Sequence, residues 1–464
     1  MNYKVSFYTI FTEILEESPS SFGDSKRVMF ASRTSSVIVI REKHYQMLMS
    51  GHFWDLPQPL LEELLRAKAV VEEDADELAE VVGENKAAIG SSKVLHYVIQ
   101  PTAYCQLGCE YCGQEHAKDY IPEDLMEKTL SRIELLIQDR KPEVLDIAWF
   151  GAEPLVGLKQ IRIMSKAIQA LAEKYNLQYD ARMVTNGLSL KEKIYEELVH
   201  DLKISYFEIT LDGTDEFHDE RRFTKKGRGK SFDIIFSNIL KITSRPNYHD
   251  EARIAIRCNA DEQNAAGVIP LIELLGEHNL QDKVNFYIAA VYSWGNDAHL
   301  RTPIEEFAVW EIDWFLAMKE NKLGVYPIPE RVYSVCTAVM PNDEVVDPYG
   351  NLYNCTEVPL VPTYEGRYTT GHINEFDNLI KPEDKPWNDW NDRILAKDDR
   401  YWCSGCKIFP VCGGRCPKNW DDGIPPCPVM KFNMEDRLAL TYYLCKEQVS
   451  DVALDEEEVP EASA

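Results

Sequence analysis

Between residues 94 and 290 the chain repeats one unit six times, a short apolar run followed by a longer amphipathic stretch. The runs are Val94 to Gln100, Leu145 to Phe150, Ala181 to Thr185, Ser205 to Leu211, Arg253 to Cys258 and Val284 to Ala290. Between them, residues such as Leu125, Met126, Thr129, Ile133, Leu136 and Ile137 recur at helical spacing. A continuous apolar strand is buried on both faces, and helices crossing back over the sheet do the burying. The pattern therefore predicts an α/β fold with right-handed crossovers and a parallel six-stranded sheet, open or curled into a partial barrel. In such sheets chemistry gathers at the C-terminal ends of the strands.

Outside this region the rhythm changes. Residues 1–90 read as a small separate unit: β-type runs at Arg27 to Ala31 and Ser36 to Ile40, then a helical pattern through Leu60, Leu61, Leu64 and Leu65. The acidic stretch Glu72, Glu73, Asp74, Asp76, Glu77 and Glu80 reads as a solvated face or linker, and Gly90, Ser91 and Ser92 mark a boundary. The alternating region takes 91–300. From 301 to 450, Pro, Gly, Trp and cysteines accumulate in loop-like sequence, as in a region held by metal rather than by a hydrocarbon core. Residues 451–464 hold six acids and no base, which predicts a disordered tail.

Composition excludes several classes of function. With 45% apolar and 27% charged residues the chain is of ordinary globular type. It has no run near the ~18 apolar residues of a membrane span. Thr12 and Glu13 interrupt the first apolar run, so neither a secretory nor a Tat leader is expected, and a cytoplasmic location is. In that reducing setting the 12 cysteines read as metal ligands or redox groups rather than disulfides. The balance of 50 basic and 77 acidic residues, 50 − 77 = −27, argues against a nucleic-acid partner, which requires a Lys/Arg surface.

Directly after the first apolar run stands Cys105-Gln-Leu-Gly-Cys109-Glu-Tyr-Cys112. Three thiolates in so tight a loop can hold a cubane and leave its fourth iron open, or can form a three-cysteine zinc loop. A second constellation has Cys336, Gly350 after thirteen residues and Cys355 after four more. It continues as Cys403-x2-Cys406-x5-Cys412-x3-Cys416 and, ten residues on, Cys427. This spacing points to metal, either iron–sulfur or zinc.

The first motif resembles that of the radical SAM enzymes, which carry C-x3-C-x-aromatic-C after the first strand of a partial (β/α)6 TIM-like barrel; Tyr111 holds the aromatic position. The resemblance implies that Cys105, Cys109 and Cys112 bind a [4Fe-4S] cluster whose open iron chelates S-adenosyl-L-methionine, cleaved reductively to a 5′-deoxyadenosyl radical. Gly151-Ala152-Glu153-Pro154 resembles the motif that holds the methionine amino group, with Ala152 in place of a second glycine and so a less extreme backbone expected there. Thr185-Asn186-Gly187 follows the third strand. Leu211-Asp212-Gly213, running into His218-Asp219 and Arg221-Arg222, resembles the pattern of the peptide-modifying branch. Arg257 lies where relatives contact the SAM carboxylate or ribose. The implied cofactor-binding residues are Tyr111, Gly151, Ala152, Glu153, Asn186 and Arg257, and the catalytic set is the three cysteines with Asp212; His218 and Asp219 are further acid–base candidates.

The second constellation resembles the SPASM domain, which binds two auxiliary [4Fe-4S] clusters. Carried over, the pattern gives Cys403, Cys406, Cys412 and Cys427 to the distal cluster and Cys336, Cys355 and Cys416 to the nearer one. The nearer set is one ligand short, because the upstream stretch Pro327 to Val335 has no cysteine; an open iron or a non-cysteine ligand follows. Cys258 and Cys445 are expected to be buried core thiols.

SPASM enzymes mostly modify peptides, and several begin with a PqqD-like winged-helix unit. Residues 1–90 are compatible with such a recognition domain, binding a precursor's leader as an added strand, or with a structural cap. The reading is a maturase of a ribosomal peptide, most simply forming a thioether between a cysteine sulfur and carbon, with a flavodoxin- or ferredoxin-type electron donor. Carbon–carbon or ether crosslinking and epimerisation are alternatives of the same class; an iron–sulfur electron carrier or zinc-stabilised scaffold is an alternative of another. Sulfatase-maturing relatives place an Asp directly after the equivalent of Cys355, and Thr356 here disfavours that chemistry.

Overall fold

The computed structural model describes residues 2–18 and 21–452. Most of the acidic segment expected as a tail at 451–464 lies outside the described residues, and the last helix runs on to Val452.

The N-terminal unit contains β1 (Tyr3–Val5), β2 (Thr9–Phe11), β3 (Lys26–Ala31), β4 (Ser36–Arg41), α1 (Glu42–Met49), α2 (Gln58–Arg66) and β5 (Val70–Glu72). Strands β2, β3 and β4 form an antiparallel sheet in that order, and β1 pairs with β5. The strict alternation of β4 turns Ile38 and Ile40 inward under Leu48, Leu61 and Leu64. The acidic stretch is not a linker: it opens helix α3 (Glu77–Ser91), where Asp76 accepts the Ala79 amide at 3.2 Å. Glu77 is buried and accepts from the Phe7 amide at 3.0 Å and from the Ser6 hydroxyl. Carboxylates at a helix N-terminus meet unpaired amides and the favourable end of its dipole, so this charge has a structural use.

Six parallel strands follow, each within a few residues of an apolar run: β6 (Val94–Ile99), β7 (Val144–Trp149), β8 (Gln178–Thr185), β9 (Tyr206–Thr210), β10 (Arg253–Ala260) and β11 (Val284–Ala290). They pair in chain order, with crossovers α4 (Glu123–Arg140), α5 (Leu158–Lys174), α6 (Glu192–His200), α7 (Asp215–Arg221), α8 (Phe232–Thr243) and α9 (Val268–Glu277). The α/β fold with a partial six-stranded parallel barrel is as the sequence predicts. Its core joins the outward strand residues Leu95, Tyr97, Ile147, Phe207 and Ile256 to helix residues such as Ile133, Ile161 and Ile239. Cys258 is part of that core, fully buried.

The sheet does not stop near residue 300. After α10 (Ile304–Glu320), strand β12 (Glu344–Val346) adds parallel to β6, and β13 (Asn351–Tyr353) and β14 (Gly371–His372) continue antiparallel, making nine strands. A buried ion pair fastens the joint: Arg132 of α4 donates to both oxygens of Glu344, Nε to Oε2 at 2.6 Å and Nη2 to Oε1 at 2.8 Å. The remaining helices are α11 (Trp390–Leu395), α12 (Phe409–Cys412), α13 (Pro417–Asp421) and α14 (Met430–Val452). Contrary to the expectation of a region without a hydrocarbon core, Trp387, Trp390, Tyr401 and Phe409 are almost wholly buried here. The N-terminal unit closes on this aromatic layer twice. Tyr8, Val81 and Val82 pack with Trp390 and Tyr401, and Val28 and Phe30 pack with Met430, Met434 and Leu438 of α14. Cys445 is exposed on α14, not in the core as expected.

Candidate active site

The loop after β6 carries Cys105, Cys109 and Cys112 over the C-terminal edge of the sheet. Its conformation is fixed by close backbone approaches. Gly108 donates its amide to the Phe223 carbonyl at 2.9 Å, and a Cβ on Gly113 would lie 1.6 Å from the Trp294 carbonyl oxygen. Tyr111 anchors the loop from beneath. Its hydroxyl donates to Asp212 Oδ2 at 2.6 Å and accepts from Asn259 Nδ2 at 3.0 Å and from the Arg222 guanidinium.

At the end of β7, Gly151 has φ +82°, and a Cβ there would come within 2.4 Å of the Gln100 side chain. The less extreme backbone expected at Ala152 is not found: it too is left-handed, at φ +45°, with its amide donating to Gln114 Oε1 at 2.9 Å. Glu153 is fully buried and accepts from Thr185 Oγ1 and the Asn186 amide, both at 2.7 Å, and from the Leu155 amide at 3.0 Å. It ties the end of β7 to the end of β8 and holds Asn186 with Nδ2 3.7 Å from Cys105 Sγ. Arg257 of β10 is steadied by Asn259 Oδ1 at 2.8 Å and by Glu208 at 3.7 Å.

The acid–base candidates lie elsewhere than expected. Asp212 is fully buried behind the cysteine loop, accepting from Tyr111 and from the Asn259 amide at 2.9 Å, and it does not line the cavity described below. Its carboxylate is committed to buried donors that tie the cysteine loop to β10. His218 is likewise buried, accepting the Asp212 amide at 3.2 Å; burial and then Arg222 hold its imidazole well below the usual range and therefore neutral. Asp219 accepts the Ser231 and Phe232 amides at the start of α8.

A cavity of about 430 Å³ opens above these residues. It is lined by Cys105, Cys109 and Cys112, by Tyr111, Gly151, Ala152, Asn186 and Arg257, and by Cys336, Cys355 and Cys416. No fourth thiol joins the second trio among the described residues lining it. Cys403, Cys406, Cys412 and Cys427 surround a separate small void. Six of the ten cysteines thus line one cavity and four surround another void. Burial, then repulsion from neighbouring thiols, raises Cys112 to about 11, and burial foremost takes Cys412 to about 11. Iron binds the thiolate, so loading these sites releases protons.

Several lining residues had no local signal in the sequence. Glu357 lies two positions after Cys355, its carboxyl raised first by burial, against the lowering charges of Arg257 and Lys418. Arg415, Lys418 and Asn419 enter from the turn around Cys416. Only the folding of the C-terminal region over the barrel mouth brings them there.

A (β/α)6 partial barrel with a three-cysteine loop at its first strand end defines a class of radical enzymes, and the comparisons agree. The sequence family described as the radical SAM superfamily matches residues 99–246. The serine-type anaerobic sulfatase-maturating enzyme of Bacteroides thetaiotaomicron is 30% identical over 370 residues, 71% of this chain and 84% of that protein. An uncharacterized protein of Synechocystis sp. is 33% identical over 138 residues, and the chain spans only 34% of its length. The solved structure of native anSMEcpe with bound AdoMet superposes with a TM-score of 0.57 at 15% identity, over 77% of this chain and 99% of that one. The chain belongs to the radical SAM superfamily, and it is a radical SAM enzyme.

Proposed function

We propose that the chain is a maturase of a ribosomal precursor peptide that joins a cysteine sulfur of the substrate to carbon as a thioether. The observation that carries this reading is the shared cavity, in which two thiol trios face one space and the second trio lacks a fourth thiolate. A peptide thiol fits the position left by that deficit. The likeness to an enzyme named for maturing a sulfatase supports a polypeptide substrate.

The residues fit the cofactors this reading needs. Cys105, Cys109 and Cys112 would hold the SAM-binding [4Fe-4S] cluster, and the backbone of Gly151 and Ala152, with Asn186 and Arg257, would cradle SAM. Cys336, Cys355 and Cys416 would hold the nearer auxiliary cluster and Cys403, Cys406, Cys412 and Cys427 the distal one. When bound, this set supplies a carbon radical strong enough to take hydrogen from a substrate C–H bond and a path for the electron released. The chain's own residues orient and shelter: Tyr111, Asp212 and Arg222 fix the loop, and Trp294 and Phe150 help wall the cavity from water. The N-terminal unit would take the leader on β4, which pairs only with β3 among the described residues and leaves Val37 and Val39 exposed. A flavodoxin- or ferredoxin-type donor and a cytoplasmic location complete the proposal.

Anaerobic co-expression with a cysteine-containing precursor peptide tests it. The expected product has lost two hydrogens and one alkylatable thiol and carries no aldehyde, and a Cys105/Cys109/Cys112→Ala variant yields neither product nor 5′-deoxyadenosine. A second reading, oxidation of a substrate serine or cysteine to an aldehyde, is favoured by the Bacteroides relative. Thr356 stands where the sulfatase-maturing pattern has Asp, although Glu357 beside it offers the cavity a carboxylate. A hydrazide-reactive product with all other thiols still free would replace the thioether reading with this one.

A further inference from the structure

We propose that Arg415 and Asn419 form a subsite that reads an acidic residue of the substrate peptide; the inference rests on the maturase reading and deepens it. The turn that carries Arg415 is unusual. Gly413, Gly414 and Arg415 are all left-handed, at φ +63°, +83° and +57°. Two indoles hold the turn, Trp390 donating to the Gly413 carbonyl at 3.0 Å and Trp420 to the Gly414 carbonyl at 2.8 Å. Any Cβ disfavours that backbone region, so a third glycine would sit there more easily than arginine does. What arginine adds is its side chain, which lines the cavity with the two thiol trios.

The other strong cations of the cavity are occupied. Arg222 is bound to Tyr111 and lies 3.9 Å from Asp212, Arg257 is held by Asn259 and Glu208, and Lys418 donates to Tyr364 Oη at 2.7 Å. Arg415, exposed at the cavity, makes no side-chain hydrogen bond or ion pair among the described residues; its charge acts on Tyr292, which lines the same space, and on Cys412 behind the turn. Four residues on, Asn419 is 3% exposed, lines the cavity, and its Oδ1 has no partner among the described residues. A buried acceptor left unpaired is costly until a ligand supplies a donor. An acidic residue in a peptide answers both needs, with a carboxylate for the guanidinium fork and its own amide N–H for Asn419 Oδ1. The carboxylate has two sources, an Asp or Glu side chain or the peptide's C-terminus.

The test uses anaerobically reconstituted holoenzyme with SAM and three fluorescein-labelled probes read by anisotropy: Cys-Gly-Glu-Gly-amide, Cys-Gly-Gln-Gly-amide, and Cys-Gly-Gln-Gly with a free C-terminus. At least one carboxylate probe should bind about tenfold tighter than the neutral amide, and which one identifies the source. Arg415→Gln should erase the preference. Arg415→Gly should do the same while relieving the left-handed backbone, with iron content retained as the sign of an intact fold. Equal affinities for the three probes, a preference surviving in both variants, or no saturable binding up to millimolar probe each overturns the subsite. An enzyme that modifies its precursor but binds the probes alike loses this inference alone. One that prefers the acidic probe but modifies no peptide loses the maturase reading instead.

Discussion

Replacing Arg132 with methionine should loosen the joint between the barrel and the C-terminal region. Arg132 is fully buried and Glu344 is 2% exposed. The substitution removes two short bonds to the carboxylate, at 2.6 and 2.8 Å, and two longer ones to the Phe376 and Asn378 carbonyls at 3.1 Å. The carboxylate is left with Lys385 Nζ at 3.9 Å as its nearest compensating charge. Breaking one half of a buried pair costs ~3–5 kcal/mol, and the residual lysine puts this case at the low end, about 3 kcal/mol. The further change Glu344→Gln removes the stranded charge, so the double variant should recover a large part of the loss. Urea unfolding followed by circular dichroism, with the wild-type slope, measures all three proteins. A single-variant loss below about 1 kcal/mol, or a double variant no more stable than the single, would refute the premise that an uncompensated carboxylate is what destabilises the joint.

Three further outcomes are expected. Burial lifts the Asp343 carboxyl from its ordinary 3.8 to about 7, so the folded state holds its proton where the unfolded state has released it. Its contribution is complete below the unfolded value and lost as pH rises towards the folded one; Asp343→Asn should therefore gain stability over wild type at about pH 8 and little at about pH 4, by thermal melting. Gly151→Ala, which drives a Cβ to 2.4 Å from Gln100, should abolish SAM binding in equilibrium dialysis, whereas Ala152→Gly, relieving φ +45°, should bind SAM as wild type does. Iron analysis after anaerobic reconstitution should show full loading in Cys258→Ala and Cys445→Ser, because one thiol is sealed in the barrel core and the other is exposed on α14; Cys412→Ala should lose iron.

What the sequence made legible follows from the range of the interactions involved. A strand buried on both faces writes itself as an apolar run, so all six barrel strands could be placed, and ligand cysteines sit at spacings set by local loop geometry. The acidic stretch at 72–80 misled because charge alone cannot separate a solvated face from a capped helix start; Glu77 is buried only because Ser6 and Phe7 come to meet it. Asp212 is singled out by the resemblance of its motif, but its hydrogen bonds to Tyr111 and Asn259, each far away in the chain, have no local signal. Strand β12 joins β6 across about 250 residues, and no local pattern announces a pairing of that range. The tight backbone at Gly113 depends on Trp294 in the same way.

The double closure of the N-terminal unit on the aromatic layer and α14 bears on how the protein is made. Tyr8, Val28 and Phe30 leave the ribosome about 350 residues or more before the side chains that cover them, from Trp390 to Leu438. At ~5–20 residues per second the apolar face waits roughly 20–80 seconds for its cover. Throughout that interval the nascent chain presents an apolar sheet face without its cover, the exposure that makes incomplete chains prone to association.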